Sequence, residues 1–300
     1  MASIVQPVTA PDRRRLRRMG RRGGGRLEHL HRARPLTYAL LIAALVGAAF
    51  PLYWSFVVSS QTNEVVAQTP PALLPGGHFL DNARRVFEQT EFQKAMLNSV
   101  IVAGSITLST VLFCSLAGFA FAKLRFRGRN ALFLFIIATM LVPIQLGIIP
   151  LYMLMSQIGW SAHLQAVIVP TLVTAFGVFW MRQFIGEAVP NELLDAARVD
   201  GCQTIQLYWH VVLPAIRPAA AVLGMLTFMT AWNDFFWPLV VLGPDNPTVQ
   251  VAIATLQGGY YQDYSLVLAG TALGTLPILV VLLLFGRQII GGIMEGAIKG

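Results

Sequence analysis

One acidic side chain, Asp234, falls inside an apolar run of this chain, in the segment TAWNDFFWPLV. An ionisable group at membrane depth is costly, so its presence points to function. Asn233 beside it adds an amide, and Trp232, Phe235, Phe236 and Trp237 surround both with rings. Carboxylate and amide groups accept hydrogen bonds from hydroxyls, and the apolar faces of a sugar stack on aromatic rings. This group suits a polar, ring-shaped solute. It equally suits a structural role near the outer water layer, with the tryptophans in an interfacial belt. Gln145, between Pro143 and Pro150 in LVPIQLGIIPLY, marks a second polar interruption, where prolines loosen helical hydrogen bonding.

The second set of residues lies in a polar hinge, VPNELLDAARVDGCQTIQLYWHVVLPAIRP, from Val189 to Pro218. It reads as two short helices joined by a glycine. Asn191 serves as an N-cap behind which Pro190 blocks extension, and Glu192 and Asp195 complement the helix dipole in the first turns. Gly201 supplies the left-handed residue that ends the first helix. Thr204 caps the second, and Pro214 and Pro218 interrupt the chain where it re-enters an apolar run. Such a hinge on a membrane protein calls for a soluble partner that docks on it.

Other chemistry has no residues to carry it. The sequence contains neither a phosphate-cradling G-x-x-x-x-G-K-[ST] loop nor a nucleophile elbow nor an H-E-x-x-H pair. The five histidines are scattered, and no metal-ligand spacing or cofactor motif is present. Cys114 and Cys202 fall on different segments, one in an apolar run and one in the hinge, so no disulfide framework is expected. The chain is therefore read as a non-enzyme without cofactor or metal.

The elements that position these residues follow from composition. Hydrophobic residues make up 55% of the 300 against 12% charged, and mean hydropathy is +0.62, which places the chain in a membrane. Six apolar spans, each near the roughly 20 residues that cross a bilayer, lie at about Leu36–Val58, Leu97–Ala122, Ala131–Met155, Leu164–Ile185, Ala219–Leu242 and Leu266–Gly286. With a cytoplasmic N-terminus, the inside segments hold ten basic residues in the tail, four in the Lys123–Arg129 loop, three around the hinge and two at the C-terminus. Outside segments hold only Arg84, Arg85 and Lys94. The positive-inside rule then puts both termini and the hinge in the cytoplasm. The Arg-rich tail, residues 1–35, reads as an anchor facing anionic lipid rather than as a nucleic-acid arm. The following apolar run is too long for a signal peptide. Residues 36–300 form the transmembrane domain, with the hinge at about 187–218.

The hinge resembles the cytoplasmic loop of membrane subunits of bacterial ATP-binding-cassette (ABC) importers, E-A-A-x-x-x-G, nine residues, I-x-L-P. Here it stands as Asp195, Ala196, Ala197, three residues, Gly201, nine residues, Val211, one residue, Leu213, Pro214. Asp for Glu and Val for Ile are conservative departures, and Cys202 takes a place usually held by a small residue. NSVIVAGS, SLAGFAFAKLRFRGR, ATMLVPIQLGIIPLY, AWNDFFWPL and IIGGIMEGAIKG are similar to the corresponding regions of carbohydrate importer permeases, maltose-type branch. The resemblance runs from about Asn98 to the C-terminus.

This resemblance implies an all-α integral membrane fold of the type I ABC importer permease, with six transmembrane helices and a cytoplasmic coupling loop. It implies a bacterial inner-membrane subunit that moves a sugar, oligosaccharide or polyol. The partners it implies are a second permease, a cytoplasmic ATPase dimer and an extracytoplasmic solute-binding protein. The helix Glu192–Val199 would insert into a cleft on one ATPase subunit. Asp195, Ala196, Ala197 and Gly201 carry over to docking, with Glu192 and Asp200 adjacent, while Trp232, Asn233, Asp234 and Gln145 are the candidate solute pathway. The rival is a secondary transporter that couples Asp234 to an ion gradient, which leaves the hinge without a task.

Overall fold

The computed structural model describes residues 35–258 and 262–297, with residues 287–297 described by backbone alone. The basic tail and its anchoring role lie outside the described residues. The chain divides into two compact units, Met1–Trp54 and Ser55–Gly300. The division falls inside α1 (Pro35–Ser59), which continues through Pro51 without a break. Over Pro35–Trp54 this helix exposes Leu36, Leu45 and Phe50, and the rings of Phe50 and Trp54 stack 6.0 Å apart.

Every regular element of the second unit is a helix among the described residues. Its principal helices are α2 (Phe79–Gln89), α3 (Phe92–Lys123), α4 (Arg129–Thr139), α5 (Ile148–Gln157), α6 (Ala175–Ala188), α7 (Asn191–Val199), α8 (Arg217–Trp232) and α9 (Tyr264–Ala297). Shorter helical segments join them. α1, α3 and the Tyr264–Gly286 part of α9 are each long and apolar enough to cross a membrane. Three bent pairs bring the number to six if each pair counts as one span.

Two of these bends, and the end of α8, fall at prolines. A proline cannot donate to the carbonyl four residues earlier, and its ring collides with it. Pro143 removes the donor for Thr139, where α4 stops, and the chain turns 89° before resuming through a 3-10 turn at Ile144–Gly147. Pro214 does the same to His210, which lies inside a π-helical turn at Tyr208–Val212. Such turns absorb one unpaired position within a helix. Pro238 removes the donor for Asp234. The apolar run Ala219–Leu242 is accordingly not one helix: α8 ends at Trp232, and a short helix restarts at Phe236–Val241.

α3 organises the unit. At 32 residues it spans about 48 Å, and it contributes to three apolar clusters. Phe92, Ala95 and Ala103 join Trp232, Val249, Leu266 and Ala269. Val102 and Ile106 pack with Met155, Val167, Trp237 and Leu242. Cys114, Phe119 and Phe121 meet Val178, Met181, Ile185, Leu194, Leu207 and Tyr208. The last cluster lies beneath the hinge, the other two beneath the break in α8.

Candidate functional site: a hinge helix and a helix break

α7 forms where the sequence places it, with different capping. Pro190 holds the N-cap position with extended backbone, and Asn191 is the first helical residue. The Asn191 Oδ1 accepts instead from Lys123 Nζ at 3.3 Å, and the same ammonium donates to the Gly186 carbonyl at 3.2 Å. The base of the hinge is thus tied to the end of α3.

At its other end α7 closes in a Schellman arrangement. Gly201 N–H donates to Arg198 O and Cys202 N–H to Ala197 O, each at 3.0 Å. Gly201 has φ +87°, and a Cβ there would meet nothing within 4 Å. Glycine is favoured here by backbone conformation, not by space. Cys202 packs with Ala197 against the cluster below, the hydrophobic contact that accompanies this cap. The second hinge helix, Thr204–Leu207, is capped by Gln203 rather than Thr204. Its N–H donates to Gln206 Oε1 at 2.8 Å, and the reciprocal bond completes a capping box.

The faces of α7 are distinct. Leu194 is buried and Ala197 is turned partly into the core, whereas Glu192, Asp195, Ala196, Val199 and Asp200 are exposed, Val199 at 88%. Asp195 accepts from Arg198 Nη1 at 2.7 Å on this outer face. The two alanines therefore differ: Ala196 presents a small side chain outward, and Ala197 supports the helix from beneath. Behind them, Tyr208 is 1% exposed, and its hydroxyl lies 2.7 Å from Ser115 Oγ of α3. Leu207, Val212 and Ile216 are buried around it. The arrangement is a rigid, glycine-ended helix held on the bundle with one apolar and acidic face outward.

The second group is at the α8 break. Asn233 is exposed, and its Nδ2 returns to Met229 O at 2.8 Å, competing with the helical ladder. Asp234 is partly buried and faces the backbone N–H groups of Phe236 and Trp237, where the next helix begins. Trp232 stands apart from its neighbours. It is 1% exposed, stacks on Phe228 at 5.5 Å and donates from Nε1 to Gly274 O at 3.0 Å. Trp237 is similarly enclosed, donating to Ala166 O at 3.0 Å. Both tryptophans are interior residues here, and neither forms an interfacial belt. Gln145 is exposed in the 3-10 turn of the α4–α5 break, and no hydrogen bond among the described residues joins it to Asn233 or Asp234.

A residue absent from the sequence reading completes the group. Gln250, at the start of the helix Val249–Thr255, places Nε2 3.5 Å from Asn233 Oδ1. That helix is seated by α3: Asn98 Nδ2 donates to Pro247 O at 3.0 Å, and Val249 N–H donates to Ser99 Oγ at 2.8 Å. It also lies against Gly274 of α9, where a Cβ would come within 2.9 Å of Val249 Cγ1. The N-S pair in NSVIVAGS and the glycine spacing G-T-A-L-G carried this signal.

Residues 111–289 match the family model of the binding-protein-dependent transport system inner membrane component. The chain belongs to this family. The match covers the hinge, the α8 break and the α3 residues Cys114, Phe119 and Phe121 of the cluster beneath the hinge. Among relatives of this inner membrane component, the lactose transport system permease protein LacG of Rhizobium radiobacter is 34% identical over 263 residues, 87% of this chain and 95% of the relative. The arabinooligosaccharides transport system permease protein AraQ of Halalkalibacterium halodurans is 32% identical over 269 residues, 88% and 96% of the two chains. The sn-glycerol-3-phosphate transport system permease protein UgpE of Pectobacterium atrosepticum is 30% identical over 270 residues, 86% and 95%. The fold is shared with a solved bacterial ABC transporter involved in the import of the acidic polysaccharide alginate. The TM-score is 0.73 at 22% identity, covering 93% of this chain and 99% of that one.

Proposed function

We infer that this inner membrane component is the permease subunit of an ATP-driven ABC importer that carries a sugar, oligosaccharide or related polyol across the bacterial inner membrane. ATP is hydrolysed by a separate subunit. The observation that carries the reading is the outward face of α7: a firmly capped helix, anchored from below, with Glu192, Asp195, Ala196, Val199 and Asp200 free to meet a partner. The relatives named for lactose, arabinooligosaccharides and sn-glycerol-3-phosphate support a polyhydroxylated solute.

In this reading the chain crosses the membrane six times, and both termini and the hinge are cytoplasmic. Closure of an ATPase dimer on ATP moves α7, and α7 moves α3 and α8 through the buried cluster beneath the hinge. A second permease completes the pathway, and an external binding protein delivers solute. Asn233 and Asp234 face that pathway at the break in α8, and Gln145 marks the corresponding break between α4 and α5.

The test is uptake by proteoliposomes carrying this chain with the permease and ATPase that purify with it. Uptake of lactose, an arabino-oligosaccharide or sn-glycerol 3-phosphate that needs both internal ATP and the external binding protein is the expected result. Uptake by this chain alone, driven by an ion gradient and lost in Asp234→Asn, would replace the importer with a secondary transporter.

A further inference from the structure

We propose that Gln250 is a solute-contacting residue, which forms with Asn233 an amide pair that exchanges hydrogen bonds with the hydroxyl groups of a carbohydrate passing the break in α8. The proposal rests on the carbohydrate-importer reading and adds to it a residue and a site.

The position of Gln250 is fixed from behind. The helix Val249–Thr255 buries Val249, Val251, Ala252 and Ile253, and its first turn is held by Asn98, Ser99 and the close approach to Gly274. Gln250 is the polar residue of that turn, and it is only partly buried on the side of Asn233.

The pair is under-committed. An amide offers two N–H donors and a carbonyl acceptor. Asn233 commits one N–H to Met229 O, and its oxygen receives a long 3.5 Å bond from Gln250. Among the described residues these are the only hydrogen bonds that the two side chains make, so one N–H on each amide and the Gln250 carbonyl are left over. In a chain this apolar, such groups and the irregular backbone beside them are tolerated where they line a water-filled path or are covered by protein.

The chemistry selects a solute class. Each amide both donates and accepts, as a hydroxyl does, and the long bond between the pair is weak enough to be replaced by two bonds to a passing hydroxyl. Phe235 and Phe236, both exposed next to the break, offer rings to the apolar C–H faces of a sugar.

The experiment uses the complete reconstituted complex and whichever of lactose, an arabino-oligosaccharide and sn-glycerol 3-phosphate the wild type moves fastest. With binding protein saturating, Gln250→Leu should lower maximal uptake about tenfold, the equivalent of one lost hydrogen bond. Gln250→Asn should retain more, and assembly and ATP hydrolysis without solute should be unchanged. In a Cys202→Ala background, Gln250→Cys should react with a membrane-impermeant methanethiosulfonate, and the transported solute should slow that reaction. Unchanged uptake in Gln250→Leu, or a Gln250→Cys that does not react in the assembled complex, overturns the site; the latter places Gln250 against the partner permease. A wild-type complex that moves no sugar, oligosaccharide or polyol sinks the carbohydrate reading itself, and the site with it.

Discussion

The hydroxyl of Tyr208, in the π-helical turn of the hinge, lies 2.7 Å from Ser115 Oγ in the C-terminal part of α3, and both side chains are buried. Ser115 Oγ also lies 2.6 Å from its own Val111 carbonyl, which takes its proton, so Tyr208 is the donor. Sixteen residues away on the same helix, Ser99 accepts from Val249 N–H beside Gln250. One unbroken helix thus holds the hinge at one point and the seat of Gln250 at another.

Tyr208→Phe removes the donor and leaves Ser115 satisfied by Val111. The expected cost is about 1 kcal/mol, a loss of roughly 2–4 °C in melting temperature. The complex should still assemble, with fewer solutes moved per ATP hydrolysed. A variant with unchanged melting and unchanged stoichiometry would show that the contact neither stabilises nor couples. Tyr208→Ala should cost about 3–5 kcal/mol by opening a cavity.

At Gly201 the order of substitutions is predicted by backbone conformation. Asn tolerates positive φ and should retain most coupling, while Ala should destabilise the turn by about 1–2 kcal/mol. Pro should be worst, since it also removes the N–H that bonds Arg198 O. ATPase activity stimulated by the permease, measured across the three variants, checks the order. Equal activity in Ala and Asn would contradict it.

Trp232 should behave as a core residue. Trp232→Ala is expected to cost about 3–5 kcal/mol, read as loss of folded protein in detergent. Trp232→Phe should keep the packing on Phe228 and lose only the bond to Gly274 O. If solute selectivity changes in Trp232→Phe without loss of stability, the residue belongs to the pathway after all.

Arg85 of α2 and Asp263 form an acid-sensitive tie. Burial alone would raise the carboxyl of Asp263. Hydrogen bonds from Ser265, Arg85 and Leu266 N–H, together with the Arg85 charge, outweigh it and hold the group below the usual carboxylate range. A depressed folded-state pKa gives stability that is complete above about pH 3.9, the unfolded value, and is lost as pH falls through the folded one. Melting temperature between pH 7 and pH 3 should therefore fall more steeply below about pH 4 in the wild type than in Asp263→Asn. Parallel curves would remove the role assigned to Asp263.

Much of the architecture was legible because its signals are local. Gly201 announced the end of α7. Pro143 and Pro238 could have placed the breaks at Thr139 and Asp234 had their missing donors been traced back four residues. Both hinge helices are capped one residue earlier than their best cap residues suggest: Pro190 and Gln203 are weaker caps than Asn191 and Thr204, and Asn191 is drawn to Lys123 instead. Trp232 and Gln250 were not legible. Whether a ring or an amide in an apolar run faces the interior depends on α9 and on Ser99, which lie far away in sequence. The opposite roles of Ala196 and Ala197 became visible only with the core beneath them.

The most direct measurement is a site-specific photo-crosslink from α7 in the native membrane. A benzophenone side chain at Val199, which is 88% exposed, should attach to an ATPase subunit, and Ala196→Arg should abolish the product. The same probe at Leu194, which is buried, should give no intermolecular product. Crosslinking at Val199 to lipid alone, or with no dependence on Ala196, would contradict the claim that this face docks an ATPase.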